Sequence, residues 1–319
     1  MTKLRAVITD HGFPNLHHEE SVLGDAGIEL TVAQCKTPAA VIDAARDADA
    51  LLVQWAPVNA EVVAALTRCK IIVRYGIGVD NVDLAAAKAR GIPVCNVPDY
   101  GVHEVAEHAV ALALALVRQL PQIDARLRGG TWKITPDRPM PSLREVTFAT
   151  AGFGRIARNA HVMMRGFGGK RIAYDPFVPA DVMAMEGVEK VELDDLFTRA
   201  DILSLHLPLT AETKHFINAA RLAEMKKTAV IVNTARGPLI DTTALAAALQ
   251  AGVIGGAGID VFEQEPLPAD HPLRGAPGAL LTSHVAWYSE SSIPRLQRLA
   301  AEELVRGLRG EPLKNHVNK

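Results

Sequence analysis

Three polar side chains follow directly on predicted strands: Arg236 in NTARGPLID, Glu265 in DVFEQEP and His284 in LTSHVAW. In an open α/β sheet, ligands bind beyond the carboxyl ends of the strands. An arginine there can grip a carboxylate through its two-pronged guanidinium. A histidine can move a proton, and a carboxylate beside it raises its basicity. Together the three would bind a small anion and transfer a proton. On spacing alone, each is more often a surface or capping residue.

A second chemistry is written in GFGRIA, Gly152–Ala157, which follows a predicted strand and opens a predicted helix, Arg155–Gly166. Gly152 would make the turn, Gly154 would let the backbone approach a pyrophosphate, and Ala157 would allow close helix–strand packing. The helix N-terminus would face the pyrophosphate, and Asp175, at the end of the next strand, would accept from the adenine-ribose hydroxyls. The glycines alone are a weak signal; the strand–turn–helix setting and Asp175 make it specific.

Two other motifs imitate known sites. GIGVDN (Gly76–Asn81) also follows a strand, but its third small position is Asn81, and Asp80 would place a carboxylate beside a phosphate. It reads as a glycine turn whose N–H groups hold a small carboxylate, or equally as an ordinary βα turn. HEVAEH (His103–His108) departs from the HExxH zinc pattern because Glu107 occupies the second histidine's place. Its acids suit a helix N-terminus, and no metal is expected.

These residues are positioned by short β-branched runs alternating with Ala-rich helical patterns. Strands are predicted at Ala6–Thr9, Ala50–Gln54, Lys70–Tyr75, Ile92–Val97, Val146–Ala151, Arg171–Tyr174, Ile202–Leu207, Ala229–Thr234, Gly256–Asp260 and Ala279–Thr282. Helices are predicted at Asn59–Thr67 with Asn59 as cap, Asp83–Arg90, Asp241–Ala251 and Ser291–Leu308. The alternation means βαβ units and parallel sheets covered on both faces. Val102–Leu120 reads as one helix, apolar nearly all round and ending before Pro121, so it must be buried between domains or against another subunit. The Gly- and Pro-rich stretch after it reads as a surface connection.

Composition narrows the partners. Lys and Arg number 34 against 36 Asp and Glu, a net charge of −2, and they are scattered, so no nucleic-acid or anionic-membrane footprint is present. The longest apolar run, Ala109–Val117, is too short to cross about 30 Å of hydrocarbon. Cys35, Cys69 and Cys95 lie far apart, which excludes a zinc knuckle or a disulfide framework. With no signal-peptide core at the N-terminus, a soluble, cytoplasmic protein is expected.

Seven ordered motifs, RYGIGVDNVD, NVPDYGVHEVAEHA, GFGRIA with AYDP, DILSLHLPLTAET, NTARGPLID, GAGIDVFEQEP and LTSHVAWYSE, resemble the NAD-dependent D-isomer-specific 2-hydroxyacid dehydrogenases over nearly the whole chain. VPDY and HVAWYSE are most similar to the branch of the C-terminal-binding proteins, dehydrogenase-like corepressors. The resemblance implies His284 as acid/base, Glu265 as its orienting partner, and Arg236 as the group that binds the substrate carboxylate and polarises the keto oxygen. It implies substrate contacts from the backbone of Ile77 and Gly78 and from Trp287. For NAD it implies the turn Gly152, Phe153, Gly154, Arg155 and Ile156 together with Asp175. It further implies the loop residues His206, Pro208, Thr213, Thr234 and Ala235, with Asp260 at the nicotinamide carboxamide.

The chain departs from the family pattern at Ala149, Thr150 and Ala151, at Asn159, His161, Met163 and Met164, at Gly169–Arg171 and at Ser283. Most of these surround the first Rossmann turn. The expected fold is α/β: two Rossmann-like, doubly wound parallel-sheet domains with the active site in the cleft between them. The substrate domain would be discontinuous (1–100 plus 290–319) and the NAD domain would be 101–289. The expected activity is NAD(H)-dependent interconversion of a small 2-keto acid and its D-2-hydroxy acid, by a homodimer. An NAD(H)-sensing, corepressor-like binding protein with little turnover is the alternative.

Overall fold

Every paired strand in the computed structural model, which describes residues 3–319, is parallel. Two compact units result, one made of the residues up to Gly101 together with Tyr288–Lys319, the other of Val102–Trp287. The first runs β1 (Arg5–Ile8), α1 (His17–Asp25), β2 (Glu29–Val32), α2 (Pro38–Ala45), β3 (Ala50–Val53), α3 (Ala60–Ala65), β4 (Ile71–Arg74), α4 (Leu84–Ala89) and β5 (Val94–Cys95). The second begins with α5 (Val102–Val117), α6 (Leu120–Arg128), β6 (Thr147–Ala151), α7 (Arg155–Arg165), β7 (Lys170–Tyr174) and α8 (Ala180–Met185). It continues through β8 (Glu189–Lys190), α9 (Leu193–Arg199), β9 (Ile202–Leu205), α10 (Ala219–Glu224), β10 (Val230–Asn233), α11 (Thr242–Gln250), β11 (Gly256–Ile259) and β12 (Ala279–Leu281). Helix α12 (Ser292–Leu308) returns to the first unit and packs on β3, β4 and α1.

The five-stranded sheet has the order β2-β1-β3-β4-β5 and the seven-stranded sheet β12-β11-β10-β9-β6-β7-β8. Both are doubly wound, and the second contains the dinucleotide-fold order with one strand added beyond β11. Helix starts follow the caps in the sequence. Asn59 accepts from the Val62 N–H at 3.0 Å, Asp83 from Ala86 at 2.9 Å and Asp241 from Ala244 at 2.9 Å. Strands β2 and β8 had no apolar run to reveal them, because each is a sheet edge and β2 buries none of its residues.

Central strands of the second unit serve both faces. Phe148, Ile202, Val230 and Val232 point to the layer of α5 and α7, while Ala149, Leu203, Leu205 and Ile231 point to the layer of α9, α10 and α11. Period-two alternation between two buried faces is why these strands read as continuous apolar runs.

The predicted helix Val102–Leu120 is corrected. It ends at Val117, the chain turns through Gln119 in the left-handed region (φ 53°), and α6 starts at Leu120 with Pro121 in its first turn. A proline in a first turn gives up no helical hydrogen bond, so Pro121 opens a helix instead of closing one. Buried Gln119 donates from Nε2 to the Arg138 carbonyl at 2.9 Å, and the Arg138 guanidinium donates to the Gly255 carbonyl; together they pin the irregular segment after α6. The apolar faces of α5 pack inside this unit, on α7, β10 and β11. Among the described residues, no helix is long and apolar enough to cross a membrane.

Helix α5 lies close on β11 because that strand carries glycine. A Cβ on Gly258 would stand 3.0 Å from Leu112 Cβ and 3.2 Å from Leu116 Cδ1. Gly258→Val should force the helix outward and cost about 1–3 kcal/mol of stability, read as a lower urea midpoint with an unchanged slope. An unchanged midpoint would show that the layer is not tightly packed there.

Candidate active site

Strand order reverses direction around β6, so the crevice between β6 and β9 is the switch point at which such sheets take ligands. Gly152 leaves β6 at φ 93° and donates to the Tyr174 carbonyl at 2.8 Å. A Cβ there would lie 2.6 Å from the His206 carbonyl oxygen at the end of β9, so backbone conformation and space both demand glycine. Phe153 is fully buried, with the Arg158 guanidinium 4.9 Å from its ring centroid. Gly154 is the cap of α7, and a Cβ on it would meet no atom within 4 Å. Arg155 and Ile156 begin the helix whose first-turn N–H groups face that open side, and Ala157 is fully buried.

Asp175 closes the far end of the turn: its carboxylate accepts from the Phe153 N–H at 2.8 Å and the Phe177 N–H at 2.9 Å. A carboxylate has about four acceptor sites, so ribose hydroxyls can still be accommodated. On the β9 side, the Thr213 hydroxyl donates to the Pro208 carbonyl at 2.7 Å, which folds that loop on itself. His206 Nε2 lies 2.9 Å from Ser204 Oγ, and desolvation of the ring pushes its pKa down to about 4, so it is neutral near pH 7. After β10, the Ala235 N–H donates to Asn233 at 3.0 Å. The Thr234 hydroxyl is buried without a hydrogen-bond partner among the described residues. A positive helix terminus, a glycine with open space, a ribose acceptor and an orphaned hydroxyl fit a dinucleotide.

The unusual Thr150 and His161 belong to one feature. Thr150 shares with Phe148 the sheet face that α7 covers, and Thr150 Oγ1 lies 3.0 Å from His161 Nε2. Burial pushes His161 down to about 3, so a neutral ring packs edge-on against Phe148 behind the glycine turn.

The three candidate catalytic side chains stand on loops after β10, β11 and β12, three adjacent strands of one sheet. Gly237 joins two of the loops: a Cβ on it would fall 1.9 Å from the Phe262 carbonyl carbon, so the backbones beside Arg236 and before Glu265 touch. Buried Asn233 donates from Nδ2 to the Arg236 carbonyl at 2.8 Å and fixes the loop further. Glu265 accepts from the Phe262 N–H at 2.9 Å, and its other oxygen lies 2.7 Å from His284 Nδ1. Burial alone would raise the Glu265 carboxyl, but His284, the Phe262 N–H and the charge of Arg236 together hold it below the usual carboxylate range.

His284 sits in the left-handed region (φ 55°), an uncommon conformation for a residue with a side chain, and Asp260 keeps it there. The Asp260 carbonyl accepts from the His284 N–H at 2.8 Å. Its fully buried carboxylate accepts from the Thr282 hydroxyl at 2.6 Å, the Val285 N–H at 2.9 Å and the Ala286 N–H at 3.0 Å. His108 on α5 places Nε2 3.0 Å from Thr282 Oγ1 and 3.7 Å from the same carboxylate. The Trp287 indole donates to the His284 carbonyl at 2.8 Å. Sequence reasoning missed His108, Thr282 and Asn233 as supports, because each works through a partner far away in the chain. It also missed Gly237, whose requirement exists only where two loops touch.

In the first unit, the Asn96 side chain donates to the Ile77 carbonyl at 2.6 Å, and the Val97 N–H donates to the Gly76 carbonyl at 2.9 Å. In a trans peptide the N–H points opposite to the C=O, so the Ile77 and Gly78 N–H groups are turned away from those partners. No helix opens at Gly78; α4 begins at Leu84, capped by Asp83, which separates this turn from a dinucleotide fingerprint. Among the described residues, no group of three His, Cys, Asp or Glu side chains is placed to hold a metal ion.

Residues 110–286 match the family model described as the D-isomer specific 2-hydroxyacid dehydrogenase, NAD binding domain. The chain is 42% identical over 282 residues to a D-3-phosphoglycerate dehydrogenase of Mycobacterium bovis, covering 87% of this chain and 52% of that protein. It therefore spans about half the length of the phosphoglycerate dehydrogenases it matches. It is 38% identical over 283 residues to a glyoxylate reductase of Korarchaeum cryptofilum, covering 88% and 85% of the two chains. The solved D-lactate dehydrogenase of Aquifex aeolicus, complexed with NAD and lactic acid, superposes with a TM-score of 0.87 at 27% identity over 96% of each chain. With these matches across the same loops that carry Arg236, Glu265 and His284, the chain belongs to the D-isomer specific 2-hydroxyacid dehydrogenases, and its second unit contains their NAD-binding domain.

Proposed function

We propose that the protein interconverts a small 2-keto acid and its D-2-hydroxy acid with NAD(H). The observation that supports this most is the His284–Glu265 pair, 2.7 Å apart, with Arg236 on the loop that touches the one leading to Glu265. Bound NADH would supply the hydride that reaches the keto carbon. The chain's own residues do the rest. Glu265 occupies Nδ1 of His284, so Nε2 is the nitrogen that gives a proton to the keto oxygen in reduction and takes it back in oxidation. Arg236 holds the substrate carboxylate and polarises the keto group, and the N–H groups of Ile77 and Gly78 in the first unit are donors suited to a carboxylate. Trp287 lines the pocket, and Asp260, with both carboxylate oxygens engaged, holds the His284 loop for this work.

A homodimer is part of this reading, on modified grounds. The faces of α5 are used within the unit, and α6 with the segment after it carries four of the exposed large apolar side chains: Leu120, Leu127, Trp132 (81% exposed) and Ile134 (90%). Such a patch marks an association surface.

His284→Ala should cut keto-acid reduction by roughly 10²–10⁴-fold while NADH binding, followed by fluorescence, stays near wild type. Glu265→Gln removes the carboxylate that orients the His284 ring through Nδ1, so the rate of keto-acid reduction should fall while NADH binding is kept. Near-normal turnover by His284→Ala sinks the mechanism.

Cofactor choice follows from Asp175, whose carboxylate would repel a 2′-phosphate at short range. Catalytic efficiency with NADPH should be at least about tenfold below that with NADH. Equal efficiencies would contradict the placement of the ribose.

Light scattering at micromolar concentration should give twice the chain mass, and a Trp132→Glu/Ile134→Glu double variant should give the monomer. A monomeric wild type rules out the assembly.

A further inference from the structure

Among the described residues, three that carry a side chain sit in the left-handed region: Gln119, His284 and His215 (φ 50°). Gln119 turns the chain between α5 and α6, and His284 is bent there by Asp260. His215 lies on the loop between β9 and α10, where glycine would be at ease and an imidazole costs backbone strain. A side chain retained at such a position points to a contact that outweighs the strain.

The backbone of His215 is joined to the loop that carries Arg236. The His215 N–H donates to the Pro238 carbonyl at 2.8 Å, the Ile217 N–H to the Leu239 carbonyl at 2.9 Å, and the Asp241 N–H to the Ile217 carbonyl at 2.9 Å. The ring reaches the other way. His215 Nε2 lies 2.8 Å from Glu263 Oε1, on the loop that carries Glu265. Burial alone would raise the Glu263 carboxyl, but Thr242 and His215 hold it below the usual carboxylate range. A carboxylate only accepts, so Nε2 is the donor.

The far oxygen of Glu263 is held as well. It accepts from the Thr242 N–H at 3.1 Å and from the Thr242 hydroxyl, at the start of α11. His271 Nδ1 accepts from the Leu273 N–H at 3.2 Å, and its Nε2 stands 3.2 Å from the same hydroxyl. Glycine at position 237 lets the two loops meet here, since a Cβ on Gly237 would lie 2.5 Å from the Glu263 nitrogen. His215 thus joins the Arg236 loop by its backbone and the Glu265 loop by its ring, and every group involved belongs to the second unit.

We infer that His215 is a positioning residue for the reaction: its imidazole, clasped to Glu263, sets where Glu265 stands and so how the His284 ring is turned. The inference rests on the 2-keto acid reading above. Asn233 and Gly237 fix Arg236 independently of the His215 ring, so the clasp bears on proton transfer and little on the grip of the substrate carboxylate.

NADH oxidation with glyoxylate, pyruvate, hydroxypyruvate and phenylpyruvate would be measured for wild type, His215→Gly and His215→Gln, with thermal midpoints and NADH fluorescence alongside. Glycine takes φ 50° without strain, so His215→Gly removes the clasp while its midpoint stays within about 3 °C of wild type. Its kcat on the best of the four acids should fall about tenfold, with KM for that acid and NADH affinity each changed less than about twofold. His215→Gln, whose amide can donate to Glu263 with a similar reach, should recover most of the loss. A wild-type kcat in His215→Gly, a loss carried by KM, a loss that His215→Gln does not recover, or a midpoint that falls further overturns the inference and leaves the dehydrogenase reading intact. A wild type that binds NADH and oxidises it with none of the four acids overturns the dehydrogenase reading and this inference with it.

Discussion

A buried carboxylate is tolerated only with donors around it, and Asp260 collects its donors from the very loop that presents His284. Two backbone N–H groups and the Thr282 hydroxyl converge on it, and its own carbonyl takes the His284 N–H. The loop is thereby bent tightly enough to hold His284 in the left-handed region, with the imidazole turned to Glu265. Backbone strain of that kind persists where surrounding contacts over-determine it, and here they do. Both hydrogen-bonded nitrogens of His284, backbone and side chain, trace back to residues that follow β11, Asp260 and Glu265.

The sheet supplies the remaining order. Because the strands are parallel, every loop after a strand emerges at one edge, and neighbouring strands bring residues distant in sequence together there. Arg236, Glu265 and His284 come from three such loops. The glycine turn, Asp175 and the His206 loop come from the three strands around the switch point. Close backbone approach then sets the fine spacing: Gly152 against the His206 carbonyl and Gly237 against Phe262. Both contacts leave no room for a single methyl group, so only glycine lets these backbones approach so closely.

The departures from the family pattern near the first turn are mutual. Thr150 and His161 face one another across the contact of β6 and α7, and the ring is kept neutral by its burial. A buried hydroxyl and a buried imidazole would each be costly alone; here the Thr150 hydroxyl and His161 Nε2 satisfy one another, while His161 Nδ1 has no hydrogen-bond partner among the described residues and Phe148 and Phe153 cover the ring. The glycine turn thus keeps its geometry on an altered support.

Much of this was legible in the chain itself. Apolar runs marked the central strands, Asn59, Asp83 and Asp241 marked helix starts, and Arg236, Glu265 and His284 could be placed after strands, because these signals are local and follow the period of the backbone. Edge strands β2 and β8 were silent, since an edge needs no apolar run. The break at Gln119 escaped because a proline reads the same at the end of one helix and the start of the next. Only the tertiary structure could pair Thr150 with His161, His108 with Thr282, or Asp260 with the loop after β12, for these hydrogen bonds join residues between 11 and 174 positions apart. Residue type sets what a side chain can donate or accept; which partner stands within 3 Å is decided by the packing of helices and loops on the sheet.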